Sequence, residues 1–309
     1  MNERTEGSPD WGFEWPTWIV IFTLYGGWFA LVHYFTQLPS WVSIPGLIVV
    51  TAWFMSLQHE VLHGHPTRWR SVNRLFVLFP ICPWFPYDLY RDTHLAHHRD
   101  ELLTTPGVDP EANYLNAEQY DALSPMRKAL YQSLRSIAGR SLVGSVLAVF
   151  HTWKTCISEP LRGNFRYLGT WLTHFLLLAL LLWWLQRETG ISPLQWVLTI
   201  TWPALMLAML RSFYEHRPLT LPAHRIVINE AALPWRLLYL NNNFHSVHHD
   251  HPMLPWYKIP AAYRADRAGY LDRNAQFFVP GYGQLLRHHL FKPVDSPRHP
   301  GFKPQRSAV

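Results

Sequence analysis

Three clusters of histidine stand at helical spacing in this 309-residue chain. The first is His59 and His63, within Leu57-Gln58-His59-Glu60-Val61-Leu62-His63-Gly64-His65. Positions i and i+4 stack on one face of a helix, so two imidazoles can converge on one ion. His94, His97 and His98 form the second cluster, and His245, His248 and His249 the third; both combine i, i+3 and i+4. A further candidate, His216, follows an apolar run. Eight or nine imidazoles exceed what one catalytic zinc requires, which is three protein ligands and an open position. Two ions with four or five nitrogen ligands each would use the whole set. Cropped out alone, His-Glu-x-x-His is the zinc protease signature with Glu60 as general base. Imidazole suits iron, zinc, copper and nickel alike. Two open, nitrogen-ligated metals in a hydrophobic protein suit the activation of dioxygen, and on that ground iron is expected. Glu60, Asp92, Glu215 and Asp250 adjoin the histidines and are candidates to orient them, as metal-bound histidines usually require.

The elements that must hold these residues read as membrane spans. Aromatic residues make up 15% of the chain, with 16 Trp, against 16% charged. Trp and Tyr favour membrane–water interfaces. Charge-free or nearly charge-free apolar runs cover about 15–35, 41–57, 171–185 and 194–210. Each approaches the ~20 residues that a spanning helix needs. Short polar breaks, at 36–40 and 186–193, pair them into two hairpins, so every histidine cluster falls on one side. Arginine and lysine are frequent in the middle segment, while the two short breaks carry only Arg187. The positive-inside rule then places both termini and the histidine segments in the cytoplasm, in the inner membrane if the source is bacterial. No secretory signal is read at the start. Cys82 and Cys156 are the only cysteines, too few for a disulfide framework. A net charge of +6 fits inside-facing loops better than nucleic-acid binding.

The expected fold is an all-α integral membrane protein, one domain over 1–309. Its four spans carry a cytoplasmic helical cap that holds the metal site. Residues 1–14 and about 292–309 are expected to be flexible. Pro80, Pro83 and Pro86 break any helix through 74–90, a stretch whose Trp84, Phe85 and Tyr87 suit the headgroup level. Residues 126–150 fit an amphipathic helix, with 142–150 too short to span. His174, inside the third run, is expected as a buried hydrogen-bonding residue, and Pro203 as a kink whose freed carbonyl a neighbour must satisfy. His65 and His251 are read as surface or supporting groups, and His288-His289 as part of a basic interfacial face.

The order His-x3-His, His-x2-His-His, His-x2-His-His, interleaved with two hairpins, resembles the membrane-bound fatty acid desaturase and hydroxylase superfamily. The likeness runs from about Trp15 to Tyr263 and includes Pro255-Trp256-Tyr257-x-Ile259-Pro260 after the last cluster. Glu215-His216 is similar to the additional histidine of that superfamily, most of all in alkane hydroxylases. The resemblance implies that His59, His63, His94, His97, His98, His216, His245, His248 and His249 bind two irons. It also implies dioxygen as co-substrate and a lipid or fatty acyl substrate. Ser212 stands where animal acyl-CoA desaturases carry a water-linked Asn; Asn241, Asn242 and Asn243 lie nearby in sequence, and Asn242 is a candidate support. His299-Pro300-Gly301 is similar to a haem motif of small cytochrome donors, but few residues follow it. Electrons are therefore expected from a separate donor of the ferredoxin or rubredoxin type. Arg68, Arg70 and Arg91 could pair with the substrate's carboxylate or phosphate end.

Desaturation is the expected reaction. Hydroxylation, carotenoid ketolation and decarboxylation to a terminal alkene occur on similar frameworks. An intramembrane zinc protease would use His59, Glu60 and His63 and leave the other clusters unexplained. A metal transporter would place its ligands near the bilayer midplane rather than at span ends.

Overall fold

The computed structural model describes residues 12–301. Four helices among them are long and apolar enough to cross a membrane: Trp15–His33, Ser40–Leu62, Leu168–Thr189 and Pro193–Tyr214. They match the four expected spans but run longer at several ends. The second continues through His59 to Leu62, because nothing between Ser56 and Leu62 interrupts the helix, so the first histidine pair grows directly out of the membrane helix. Gly190, at a φ of 72°, ends the third span; this left-handed conformation suits glycine and turns the chain back.

Lipid tails are as apolar as leucine, so the spans associate through close packing rather than through escape from water. Trp28 of the first span illustrates it. Fully buried, it stacks on Trp184 of the third span and meets Trp196 of the fourth edge-on, at ring separations of 6.0 and 6.1 Å. Leu172, Leu176, Leu180 and Trp183 of the third span face outward at helical spacing, as a lipid-facing stripe should. The fourth span widens into a π-helical stretch at Trp196–Thr201 directly before Pro203, which takes up the proline without a stop. His174 accords with its expected structural role: its Nε2 lies 2.9 Å from the Pro83 carbonyl oxygen.

Three expectations are corrected. The proline-rich stretch is packed into the bundle and not laid on its surface. After a short helix at Arg70–Leu78, Ile81, Cys82 and Trp84 are buried in the core. The Trp84 indole N–H donates to the Thr201 carbonyl at 2.9 Å, so an amphipathic ring finds its polar partner inside the bundle. The helix expected to end near 150 runs from Ser145 to Leu161, since no breaker occurs until Pro160. Within the longer helical stretch Ile137–Leu161 it forms, with Pro125–Ser133, a bent pair, angled by 97°, that is apolar enough to count as a broken span or re-entrant loop. The stretch 292–301 is not loose. Leu115 N–H donates to Pro297 O, His299 N–H to Leu115 O, and Asp295 pairs with buried Arg135.

The cap is almost wholly helical, and among the described residues two short strands depart from an all-α fold. Ile228–Asn229 (β1) pairs in parallel with Phe278–Val279 (β2). This two-residue ladder anchors the turn before the third histidine cluster: Asn229 N–H donates to Asn243 O, and Ser246 N–H to Val227 O.

Candidate metal centre

Each histidine cluster sits where a helix ends. His59 lies in the last turn of the second span, and His63 caps it. His94 and His97 belong to the helix Tyr87–His97, with His98 as its cap. His245, His248 and His249 lie on the helix His245–Asp250. That helix starts after a tight turn in which Leu240 and Asn241 take positive φ values of 47° and 57°. Asparagine tolerates that conformation better than most residues, and the buried Asn241 side chain donates to the Trp256 carbonyl. His216 follows the fourth span and bridges to Ile226.

The fold gathers all nine into two adjoining groups. His59, His63, His94 and His248 place ligand atoms within 4.8 Å of one another, and so do His97, His216, His245 and His249. His98 stands beside the first group: its Nε2 is 3.0 Å from His94 Nε2 and 3.2 Å from His248 Nε2. In the second group, His216 Nε2 lies 3.0 Å from His97 Nε2 and 3.1 Å from His245 Nε2. Two nitrogens each ~2.1 Å from a shared ion, at roughly right angles, would stand about 3.0 Å apart. The spacing therefore fits ligands around an ion. Nε2 of both His59 and His63 is buried without a hydrogen-bond partner, an arrangement that is costly unless something binds there.

Charge tells the same story. Burial, then the proximity of the other imidazoles, holds His63, His98, His216, His245, His248 and His249 well below the usual histidine range. A neutral imidazole is the ligating form. His97 is the exception. Burial pulls it down, but the Glu111 and Asp109 carboxylates outweigh this and raise it to about 9. Asp109 Oδ1 faces His97 Nδ1 at 2.9 Å, and Glu111 Oε1 faces His94 Nδ1 at 2.9 Å. Carboxylates in that position fix the tautomer and turn each Nε2 inward. Asn242 Oδ1 does the same for His245 Nδ1 at 3.3 Å, with Glu215 Oε1 3.7 Å away. Burial pushes Glu215 up to about 7. Beside the second group, Arg140, Ser212, Glu215 and His216 line a cavity of about 30 Å3.

A model of the fatty acid desaturase family matches residues 37–281, well over half of the chain. The chain belongs to the fatty acid desaturase family. No curated protein matches it. Membership implies an oxidoreductase-type enzyme with a histidine-rich metal site and a lipid substrate at a membrane.

Against this family background, several expected supports are relocated. Asp92 turns away from the histidines and binds Arg91, Arg166 and Tyr167. Asp250 lies at the surface, 3.8 Å from Arg273. Glu60 does not reach the histidine groups by a hydrogen bond; its Oε1 accepts the Trp256 N–H at 2.9 Å and faces His65. Asn242 and Glu215 are found close to His245. Asp109 and Glu111 were missed, because they come from the loop that follows the second cluster and carry no helical register with it. Arg68 and Arg70 are exposed, whereas Arg91 is already paired with Asp88 and Asp92. His251 is exposed; His65 is buried.

Proposed function

We propose that this protein is an oxygen-dependent desaturase of a fatty acyl chain, with two irons held by the nine histidines and electrons from a separate ferredoxin- or rubredoxin-type donor. The observation that carries the reading is the pair of buried histidine groups, side by side at the ends of the spans. Four ligands in one group, and four plus His98 in the other, match a dinuclear centre and have no use in a zinc protease. Glu60 also lacks the placement of a protease base, since its carboxylate is engaged by the Trp256 N–H.

Iron, when bound, supplies the redox chemistry for breaking unactivated C–H bonds. The balance is simple. Two protons and two electrons leave adjacent carbons as the double bond forms. Two electrons from the donor and two protons complete the reduction of dioxygen to two waters. The protein's part is positioning. The spans bring the acyl chain to the centre from the bilayer, and Asp109, Glu111 and Asn242 hold His97, His94 and His245 with Nε2 inward. Arg68 and Arg70, exposed just past the first pair, are candidates for the acyl head group; Arg91 is weakened in that role by its two aspartates. The arginine-rich middle segment favours a cytoplasmic location for the cap and both termini.

The test is co-expression with ferredoxin and rubredoxin systems, fed labelled fatty acids and alkanes, with mass spectrometry of lipids and headspace. An alkenoate supports the reading. An alcohol, a ketolated carotenoid or an alkene shorter by one carbon would replace desaturation by hydroxylation, ketolation or decarboxylation. Absence of any oxygen-dependent product in iron-replete cells would overturn all of them.

A further inference from the structure

Outside the two histidine groups, Glu14, Glu60 and His65 place ligand atoms within 4.8 Å of one another. All three are buried, at 4%, 6% and 2% exposure. Glu14 is the residue before the first span, Glu60 lies in the last turn of the second, and His65 follows two residues after His63. Thr17 Oγ1 donates to Glu14 Oε2 at 3.2 Å, and Trp256 N–H donates to Glu60 Oε1 at 2.9 Å. His65 Nδ1 lies 2.7 Å from Glu14 Oε1. That short contact puts a proton on Nδ1. Among the described residues, the remaining nitrogen, Nε2, is buried with no well-aligned hydrogen-bond partner and lies 4.0 Å from Glu60 Oε1.

This gap is informative. It is too long for a hydrogen bond, and it is about twice a typical metal–ligand distance of ~2.0–2.2 Å. A cation standing between Nε2 and Oε1 would take both as ligands. Among the described residues, neither carboxylate has a lysine or arginine within ion-pair distance. Two buried carboxylates need positive charge nearby, since an unpaired buried charge is strongly unfavourable. An imidazolium on its own would not close the gap. One divalent cation would cancel both charges and take Nε2 as a ligand.

We propose that Glu14, Glu60 and His65 form a third cation site, separate from the histidine groups, for a divalent first-row metal. Two carboxylates with one imidazole suit Mn2+, Fe2+ or Zn2+ better than copper. The ion clamps the start of the first span to the end of the second. Through Glu60 and Trp256 it also ties both to the segment after the third histidine cluster.

The experiment is metal analysis of the purified full chain in detergent, comparing wild type with Glu14→Gln and His65→Gln. The expected result is three ions per chain in the wild type and two in each variant, with the magnetic signature of the coupled pair unchanged. As a second measurement, the metal-free wild type is titrated with Mn2+. One uncoupled six-line EPR signal is expected, and it disappears in Glu14→Gln. Two ions in wild type and variants alike would reduce the cluster to a Glu–His–Glu ion triad and overturn the site. Loss of all metal from both variants would also overturn it, by making the cluster a support of the histidine groups. A wild type with the uncoupled ion but no coupled pair would instead count against the dinuclear reading and leave this site standing.

Discussion

The two histidine groups differ in what holds them. The first rests on the second membrane span: His59 and His63 are fixed by helical geometry, and their inward nitrogens have no hydrogen-bond partner among the described residues. The second is assembled from a loop exit, His216, and two cap helices, and it is surrounded by polar support from Asp109, Glu215 and Asn242. A continuous helix sets ligand positions by backbone hydrogen bonds that persist without the metal. A site made from separate cap segments needs side-chain contacts to do the same work. The first group should therefore depend chiefly on its ligands, with Glu111 behind His94, and the second more strongly on its ligands and their neighbours.

The largest effect should come from removing one ligand of either group. His248→Ala and His249→Ala are expected to abolish product formation, each with loss of bound metal measured by elemental analysis. Should His248→Ala keep full activity, the pair of groups would not act as one centre and the zinc protease reading would revive.

The next effect separates the groups. Asp109→Asn keeps the shape of the side chain but removes the charge behind His97. It is expected to lower metal affinity of the second group by about 10–100-fold, the usual cost of losing such a partner. Glu111→Gln should weaken the first group less, because Glu111 is about one-third exposed. Titration of metal-free protein with Co2+, followed by its visible spectrum, would resolve the two steps. Equal losses at both groups in Asp109→Asn would remove the distinction drawn here.

Acidity offers a third, smaller contrast. His97 is raised to about 9 by Glu111 and Asp109 against the pull of burial, so it is protonated at neutral pH and must shed its proton to ligate. Metal affinity of the second group should then fall about tenfold per pH unit below 9. His63, His98 and His248 of the first group are held low by burial and stay neutral, so that group should load nearly independently of pH. In the metal-free protein the sign reverses. A raised histidine contributes stability that is full below about 6.5 and is lost as the pH rises through about 9. Parallel pH dependence of both loading steps would contradict the assignment of Asp109 to His97.

How far the site was legible follows from these same residues. Spacing alone singled out eight of the nine histidines, because i, i+3 and i+4 share a face whatever the tertiary fold; His216 stood out by its place after the fourth apolar run and by the family resemblance. The spans were legible because a membrane demands unbroken apolar length. Asp109 and Glu111 were not legible: 12 and 17 residues separate them from His97 and His94. Only loop closure brings them back. The two-residue ladder of β1 and β2 was invisible for the same reason, being too short to show alternation. Trp84 misled in the opposite way. Its composition matched the membrane interface, but its indole found the Thr201 carbonyl inside the bundle.

The smallest expected effect is the most instructive. Asp92 and Asp250 adjoin their clusters in sequence, yet both stand on the wrong side of their helices. At about 100° per residue, His94, His97 and His98 fall within roughly a third of a turn, and Asp92 lies almost opposite them. His245, His248 and His249 repeat the pattern, and Asp250 again lies nearly opposite. Asp250→Ala should therefore leave metal content and the Co2+ spectrum unchanged, with stability altered by no more than ~0.5 kcal/mol, as is usual for an exposed ion pair. Asp92→Ala should also spare the metal, while loosening the link from its helix to Tyr167 at the start of the third span. Loss of metal from Asp250→Ala would mean that adjacency in sequence, and not the face of the helix, decides which carboxylates support the centre.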